Sequence, residues 1–219
     1  MDQRRRLVDQ IETEILVTAA ELGVTGLAPR VAEVMRQIGR HRFVPGPQRC
    51  LAYINHPLPI GHGQTISQPY MVAVMSQLLQ VGPGDRVFEL GTGSGYQAAV
   101  LAALGAEVYS VEILPELAEQ AAATLTELGI GGIQVRQGDG WSGWPEVAPF
   151  QGILLTAAAP RLPAPLVAQL APGGRLLIPL GSASSIQQLV LFTKDAAGRL
   201  SQRNLLPVRF VPVTGAMAD

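Results

Sequence analysis

One cysteine, Cys50, stands in 219 residues. A lone thiol excludes an internal disulfide and a cysteine-rich metal site, and it suits a reducing compartment. Three histidines, His41, His56 and His62, are the other candidate soft ligands, and none is spaced from another as metal ligands are. No metal is expected. An excess of charge of one sign is also missing: 16 Lys and Arg face 17 Asp and Glu, a net charge of −1. That leaves no basic footprint, so nucleic acid is not expected as a partner. Nor does any segment reach roughly 18 uninterrupted apolar residues, the length of a membrane span. Arg4-Arg5-Arg6 could open a signal peptide, but Asp9, Gln10, Glu12 and Glu14 interrupt any apolar run behind it. A soluble cytoplasmic protein with no membrane contact is the expectation.

What is present begins with helical periodicity. Leu7, Val8, Ile11, Ile15, Leu16, Ala19 and Leu22 recur at three and four, the period of a helix with one buried face. A second helix is expected through Val31, Val34, Met35 and Ile38, started by Ala28-Pro29. Between Phe43 and Pro69, prolines and glycines break the pattern into a long loop, in which residues 61–68 concentrate hydrogen-bonding side chains. Met71–Leu79 reads as a helix stopped by Gly82-Pro83-Gly84.

Strands and helices then alternate. Strands are expected at 86–90, 107–112, 133–137, 152–157, 175–180 and 187–193, and helices at 96–104, 115–128 and 162–170. Residues 205–213 are a last strand candidate, with Pro207 and Pro212 marking an edge or bulges. The alternation implies an α/β fold: a Rossmann-like open, mostly parallel sheet with helices on both faces and a helical N-terminal extension. Residues 1–80 would supply the N-terminal helices and a substrate loop, and 81–219 the cofactor-binding α/β part, the two packed as one unit.

The richest local signal is Glu89-Leu90-Gly91-Thr92-Gly93-Ser94-Gly95-Tyr96, where a strand runs through spaced glycines into a helix. Glycine permits the tight turn and the close approach of a ligand. A dinucleotide fingerprint would need a third glycine where Tyr96 stands, and no Lys-Ser/Thr pair follows to make a P-loop. The Glu-x-Gly-x-Gly-x-Gly spacing is instead that of methyltransferases using S-adenosylmethionine. Glu112 ends the next strand about 20 residues on, where an acid accepts hydrogen bonds from ribose hydroxyls. Asp139, between Gly138 and Gly140, is a candidate adenine contact. These positions and Thr156-Ala157 each close a strand, which gathers them on one rim at the switch in strand order.

The chain resembles the protein-L-isoaspartate O-methyltransferases, a family that repairs isomerised aspartyl residues in damaged proteins, from about Arg40 to Val213. The resemblance is carried by Arg40-His41-Arg42-Phe43-Val44-Pro45, the 63–70 block Gly-Gln-Thr-Ile-Ser-Gln-Pro-Tyr, the glycine turn, Gly138-Asp139-Gly140-Trp141 and the 208–212 block Val-Arg-Phe-Val-Pro. It implies S-adenosyl-L-methionine as cofactor, S-adenosyl-L-homocysteine as product, and isoaspartyl-containing proteins and peptides as substrate. By resemblance, Ser67 is the active-site hydroxyl. Gln64, Thr65, Glu89, Gly91, Thr92, Gly93, Glu112, Asp139 and Gly140 are cofactor contacts, and Ile66, Ser67, Thr156 and Ala157 face the substrate. Ile54 and Gln151 stand where family members carry acids. Two other functions remain open from sequence: a same-fold methyltransferase for another peptide or a small acid, and a non-catalytic cofactor-binding module. The oligomeric state is left open, with a monomer favoured.

Overall fold

The structure, a computed structural model, describes residues 2–182 and 185–215. In chain order the helices are α1 (Gln3–Val17), α2 (Ala19–Leu22), α3 (Pro29–Gln37), α4 (Pro69–Leu79), α5 (Tyr96–Ala103), α6 (Pro115–Glu127) and α7 (Ala164–Gln169). The strands are β1 (Leu58–Gly61), β2 (Gln64–Ile66), β3 (Arg86–Leu90), β4 (Glu107–Glu112), β5 (Ile133–Gln137), β6 (Phe150–Leu155), β7 (Leu170–Leu180), β8 (Gln187–Lys194) and β9 (Leu200–Val208). Among the described residues no helix is long and apolar enough to cross a membrane.

Seven strands form one sheet in the order β5-β4-β3-β6-β7-β8-β9. Pairing is parallel from β5 through β7 and antiparallel at β7–β8 and β8–β9. The last strands reverse because the connections 181–186 and 195–199 are too short to carry a crossover. Strand residues alternate between two apolar faces, as doubly covered sheets require. Val87, Leu154 and Leu177 join one core, while Phe88, Ile153, Leu155, Leu176 and Ile178 join the other. The first core also holds Leu7, Val8, Ile11 and Ile15 of α1 and Val31 of α3, so the N-terminal helices share a core with the sheet.

Four expectations from sequence are corrected. The first helix breaks at Thr18, whose hydroxyl donates back to Glu14 O (3.0 Å) and meets the Tyr70 hydroxyl at 2.6 Å. Leu16, assigned to the buried face, is 61% exposed. The long loop contains the β1–β2 hairpin, closed by His62 and Gly63 at φ of 53° and 72°, the pair of positive values a type I′ turn needs. Pro59 had hidden this strand. The last strand runs from Leu200 to Val208, so five of its residues precede the expected span of 205–213, and beyond it Pro212 forms an isolated bridge with Ala158.

Ile11 is fully buried. Ile11→Ala is expected to lower stability by about 2–5 kcal/mol. Denaturant unfolding followed by circular dichroism and by tryptophan fluorescence should shift as a single coincident transition. Two separated transitions would show that the N-terminal helices fold apart from the sheet.

Candidate active site

The strand order reverses between β3 and β6, so the chains leaving their carboxyl ends diverge and open a crevice. The cleft there holds about 790 Å³ of free space, counting its open mouth. Its walls include Gln64, Thr65, Ile66 and Ser67 on one side and Gly91, Thr92, Gly93, Glu112, Asp139 and Gly140 on the other, with Thr156 and Ala157 between. All the residues singled out from sequence therefore meet in one cleft except Glu89.

The glycine turn is shaped by what lies behind it. Gly91 has φ of 93°, and a Cβ there would fall on Thr156 Oγ1. That hydroxyl donates to Gly91 O (2.5 Å) and Leu90 O (3.1 Å), which locks the ends of β3 and β6 together. Glu112 accepts from Gly93 N (2.8 Å) through Oε2 and from Leu114 N (3.0 Å) through Oε1. Each oxygen keeps a lone pair, so the carboxylate can still accept from a diol. Asp139 caps the short 3₁₀ turn at Gly140–Ser142, accepting from Trp141 N at 2.9 Å. A Cβ on Gly140 would meet Leu90 Cγ at 2.8 Å, so only glycine lets that turn press onto β3. The site thus offers close backbone and carboxylates that accept from hydroxyls, which suits a nucleoside with an amino-acid tail.

Glu89 lies behind the wall and not on it. It is fully buried, and burial pushes its carboxyl up to about 8. Its Oε2 accepts from Ser110 Oγ at 2.5 Å, and its Oε1 has no hydrogen-bond partner among the described residues. The Ser110 and Thr92 hydroxyls lie 2.6 Å apart. Thr92, Ser110 and Glu89 thus form one hydrogen-bonded chain that runs from the cleft wall into the interior. Glu89, expected as a cofactor contact, is absent from the cleft's lining and lies beneath Thr92 and Ser110.

On the opposite wall the hairpin delivers Gln64, Thr65 and Ile66, and the chain turns at half-buried Ser67 into α4. What fixes Ser67 is Arg40, a residue the sequence marked only by resemblance. Arg40 is fully buried, donates to Ser67 O (2.9 Å) and His56 O (3.2 Å), and lies 5.3 Å from the Tyr96 ring centroid. Burial lowers its guanidinium to about 10. Asn55 adds a second tie, accepting from Tyr70 N at 2.9 Å. Of the two departures, Gln151 accepts from Arg86 N (2.8 Å) at the base of the sheet, remote from the cleft, and Ile54 is 40% exposed.

Between about pH 4.5 and 8 the unfolded chain carries Glu89 ionised while the folded chain holds it protonated. Stability contributed at this position therefore falls as pH rises through that window and is flat above it. Glu89→Gln is expected to raise Tm by about 5 °C at pH 7.5 and by little at pH 5, measured by calorimetry of the ligand-free protein. An equal change at both pH values would contradict a neutral buried acid.

The sequence profile of the protein-L-isoaspartate(D-aspartate) O-methyltransferase family matches residues 12–218. The chain is 54% identical over 212 residues to protein-L-isoaspartate O-methyltransferase 2 of Syntrophobacter fumaroxidans, covering 97% of this chain and 86% of that one. It is 54% identical over 187 residues to protein-L-isoaspartate O-methyltransferase of Gloeobacter violaceus, covering 85% and 91%. A solved protein-L-isoaspartate O-methyltransferase superposes with a TM-score of 0.85 at 27% identity, over 98% of this chain and 67% of that chain. A second solved structure, from Plasmodium falciparum, gives 0.80 at 24% identity over 98% and 99%, a likeness of fold. With the profile spanning nearly the whole sequence, the chain belongs to the protein-L-isoaspartate(D-aspartate) O-methyltransferase family.

Proposed function

We propose that the protein transfers a methyl group from S-adenosyl-L-methionine to the free carboxylate of L-isoaspartyl residues in damaged proteins and peptides. The observation that carries this reading is the meeting of Ser67 with the glycine-turn rim across one cleft, in a chain of this family. When bound, the cofactor supplies an electrophilic methyl group on a positively charged sulfur. Glu112 would accept from the ribose hydroxyls, Asp139 would hold the adenine amino group, and the Gly91–Gly93 backbone would border the amino-acid tail. Gln64 and Thr65 would close over the cofactor from the hairpin side, with Ile66 excluding water beneath them.

The substrate carboxylate is already ionised at neutral pH, since a free carboxyl titrates near 4, so no general base is needed. With the cofactor held by the glycine turn, Glu112 and Asp139, its methyl group would pass to one carboxylate oxygen and its sulfur would keep the bonding pair, so the opposite charges would cancel in an ester and a thioether. Attraction between the two charges is about 4 kcal/mol at 4 Å with an effective dielectric near 20. It acts on the bound ground state as well, so alignment must supply much of the acceleration. Ser67 suits that task as a donor to one carboxylate oxygen, its own position set by Arg40. Thr156 and Ala157 would line the approach. A cytoplasmic location agrees with the single, exposed Cys50.

Labelled S-adenosylmethionine should methylate an isoaspartyl peptide and leave its aspartyl counterpart unlabelled. Equal labelling of both would overturn the repair reading, and cofactor binding without labelling of any acid would leave a binding module. Ser67→Ala is expected to lower kcat/KM by about tenfold or more, the worth of one hydrogen bond to a charge, while product-cofactor affinity stays within about twofold. An unchanged rate would refute the role of Ser67.

A further inference from the structure

A second cavity opens on the far side of Ser67. It is a groove of about 1350 Å³, counting its open side, and Thr65, Ser67, Thr156 and Val211 line both it and the cofactor cleft. One wall comes from the end of β9 and the segment after it, including Leu206, Arg209 and Phe210. The facing wall comes from the last turns of α1, through Glu14, Val17 and Thr18, with Met71 of α4 also lining the groove. Thr18 is tied to this wall by its hydrogen bond with Tyr70.

Val17 is 78% exposed, although it faces this groove. An isolated exposed valine needs no explanation. Here, however, it stands over an apolar channel that runs into the reacting site, and the two charges at the channel, Glu14 and Arg209, have no ion-pair partner among the described residues. A small acid would fill the cofactor side of Ser67 and leave the groove unused. An extended chain entering with its isoaspartyl carboxylate at Ser67 would have to lay its neighbouring residues along the groove.

We infer that the last turns of α1 form part of the substrate site, with Val17 receiving an apolar side chain next to the isoaspartyl residue and Glu14 selecting for positive charge on the same segment. The inference rests on the proposed reaction and deepens it: the N-terminal helices read the sequence around the damage. Val17 has little packing of its own to lose, so substitutions there act on the groove and not on the fold.

The test uses isoaspartyl hexapeptides with Leu, Lys or Glu on either side of the isoaspartyl residue, and a capped single isoaspartyl residue too short to reach the groove. Methyl transfer gives KM and kcat; fluorescence anisotropy with S-adenosylhomocysteine present gives Kd without any reaction. Val17→Asp is expected to raise KM and Kd for leucine-flanked hexapeptides about tenfold, the worth of one apolar side-chain contact, with unchanged kcat. Values for the capped residue and for the cofactor should not move. Glu14→Arg should turn a preference for lysine-flanked peptides into one for glutamate-flanked peptides. Equal effects on the hexapeptides and the capped residue, or none on either, would overturn the inference. If the native protein methylates no isoaspartyl peptide but Val17→Asp still weakens hexapeptide binding, the proposed reaction fails and the groove stands.

Discussion

Arg40 carries a full charge into the interior, and no ion pair among the described residues includes it. Its guanidinium is held by two carbonyls, of Ser67 and His56, and by the face of Tyr96. Removing such a group from water is costly unless its hydrogen bonds are met; the fold meets those of the two terminal nitrogens with backbone carbonyls and sets an aromatic ring beside the cation, while Nε is left without a partner among the described residues. Tyr96 begins the helix that follows the glycine turn, while Ser67 ends the hairpin segment. One side chain therefore sets the distance between the two walls of the cleft. Alignment across that cleft is what a reaction between a preformed carboxylate and a bound methyl donor demands, so the interaction that fixes the architecture also fixes the chemistry.

The sheet was legible because its signals are local. The strands β3, β4 and β5 lie where the sequence put them, and the glycine turn, Glu112, Asp139 and Thr156 converge at the strand switch as the alternation requires. Other features depend on contacts between distant residues, which no periodicity encodes. Glu89 sits in the motif beside its glycines, yet strand alternation points its side chain away from the cleft toward Ser110 on β4. The hairpin was concealed by Pro59, and its pairing only becomes visible in register, Leu58 with Ile66. Arg40 gave no chemical signal at all, since a lone arginine among charged neighbours reads as surface; its burial follows from loops that fold over it. The break at Thr18 is tied to Tyr70, 52 residues away, while Leu16 falls outside the buried face of α1 that ends on Ile15.

These non-local ties explain how one chain divides its labour. The parallel half of the sheet supplies the carboxylates and close backbone suited to the cofactor, and the antiparallel edge at β9 continues into a segment that bridges back to Ala158 beside the site. The N-terminal extension shares the sheet's core and reaches the groove beyond Ser67. Specificity for a protein segment can then reside in elements that the cofactor never touches.

The most direct measurement is a structure of the protein with S-adenosyl-L-homocysteine and an isoaspartyl peptide bound together. The account expects one carboxylate oxygen to accept from Ser67 Oγ and to point at the thioether sulfur, near enough for the absent methyl to lie within about 3–3.5 Å of that oxygen. A carboxylate turned away from the sulfur, or a cofactor seated outside the wall formed by Gly91, Glu112 and Asp139, would contradict it.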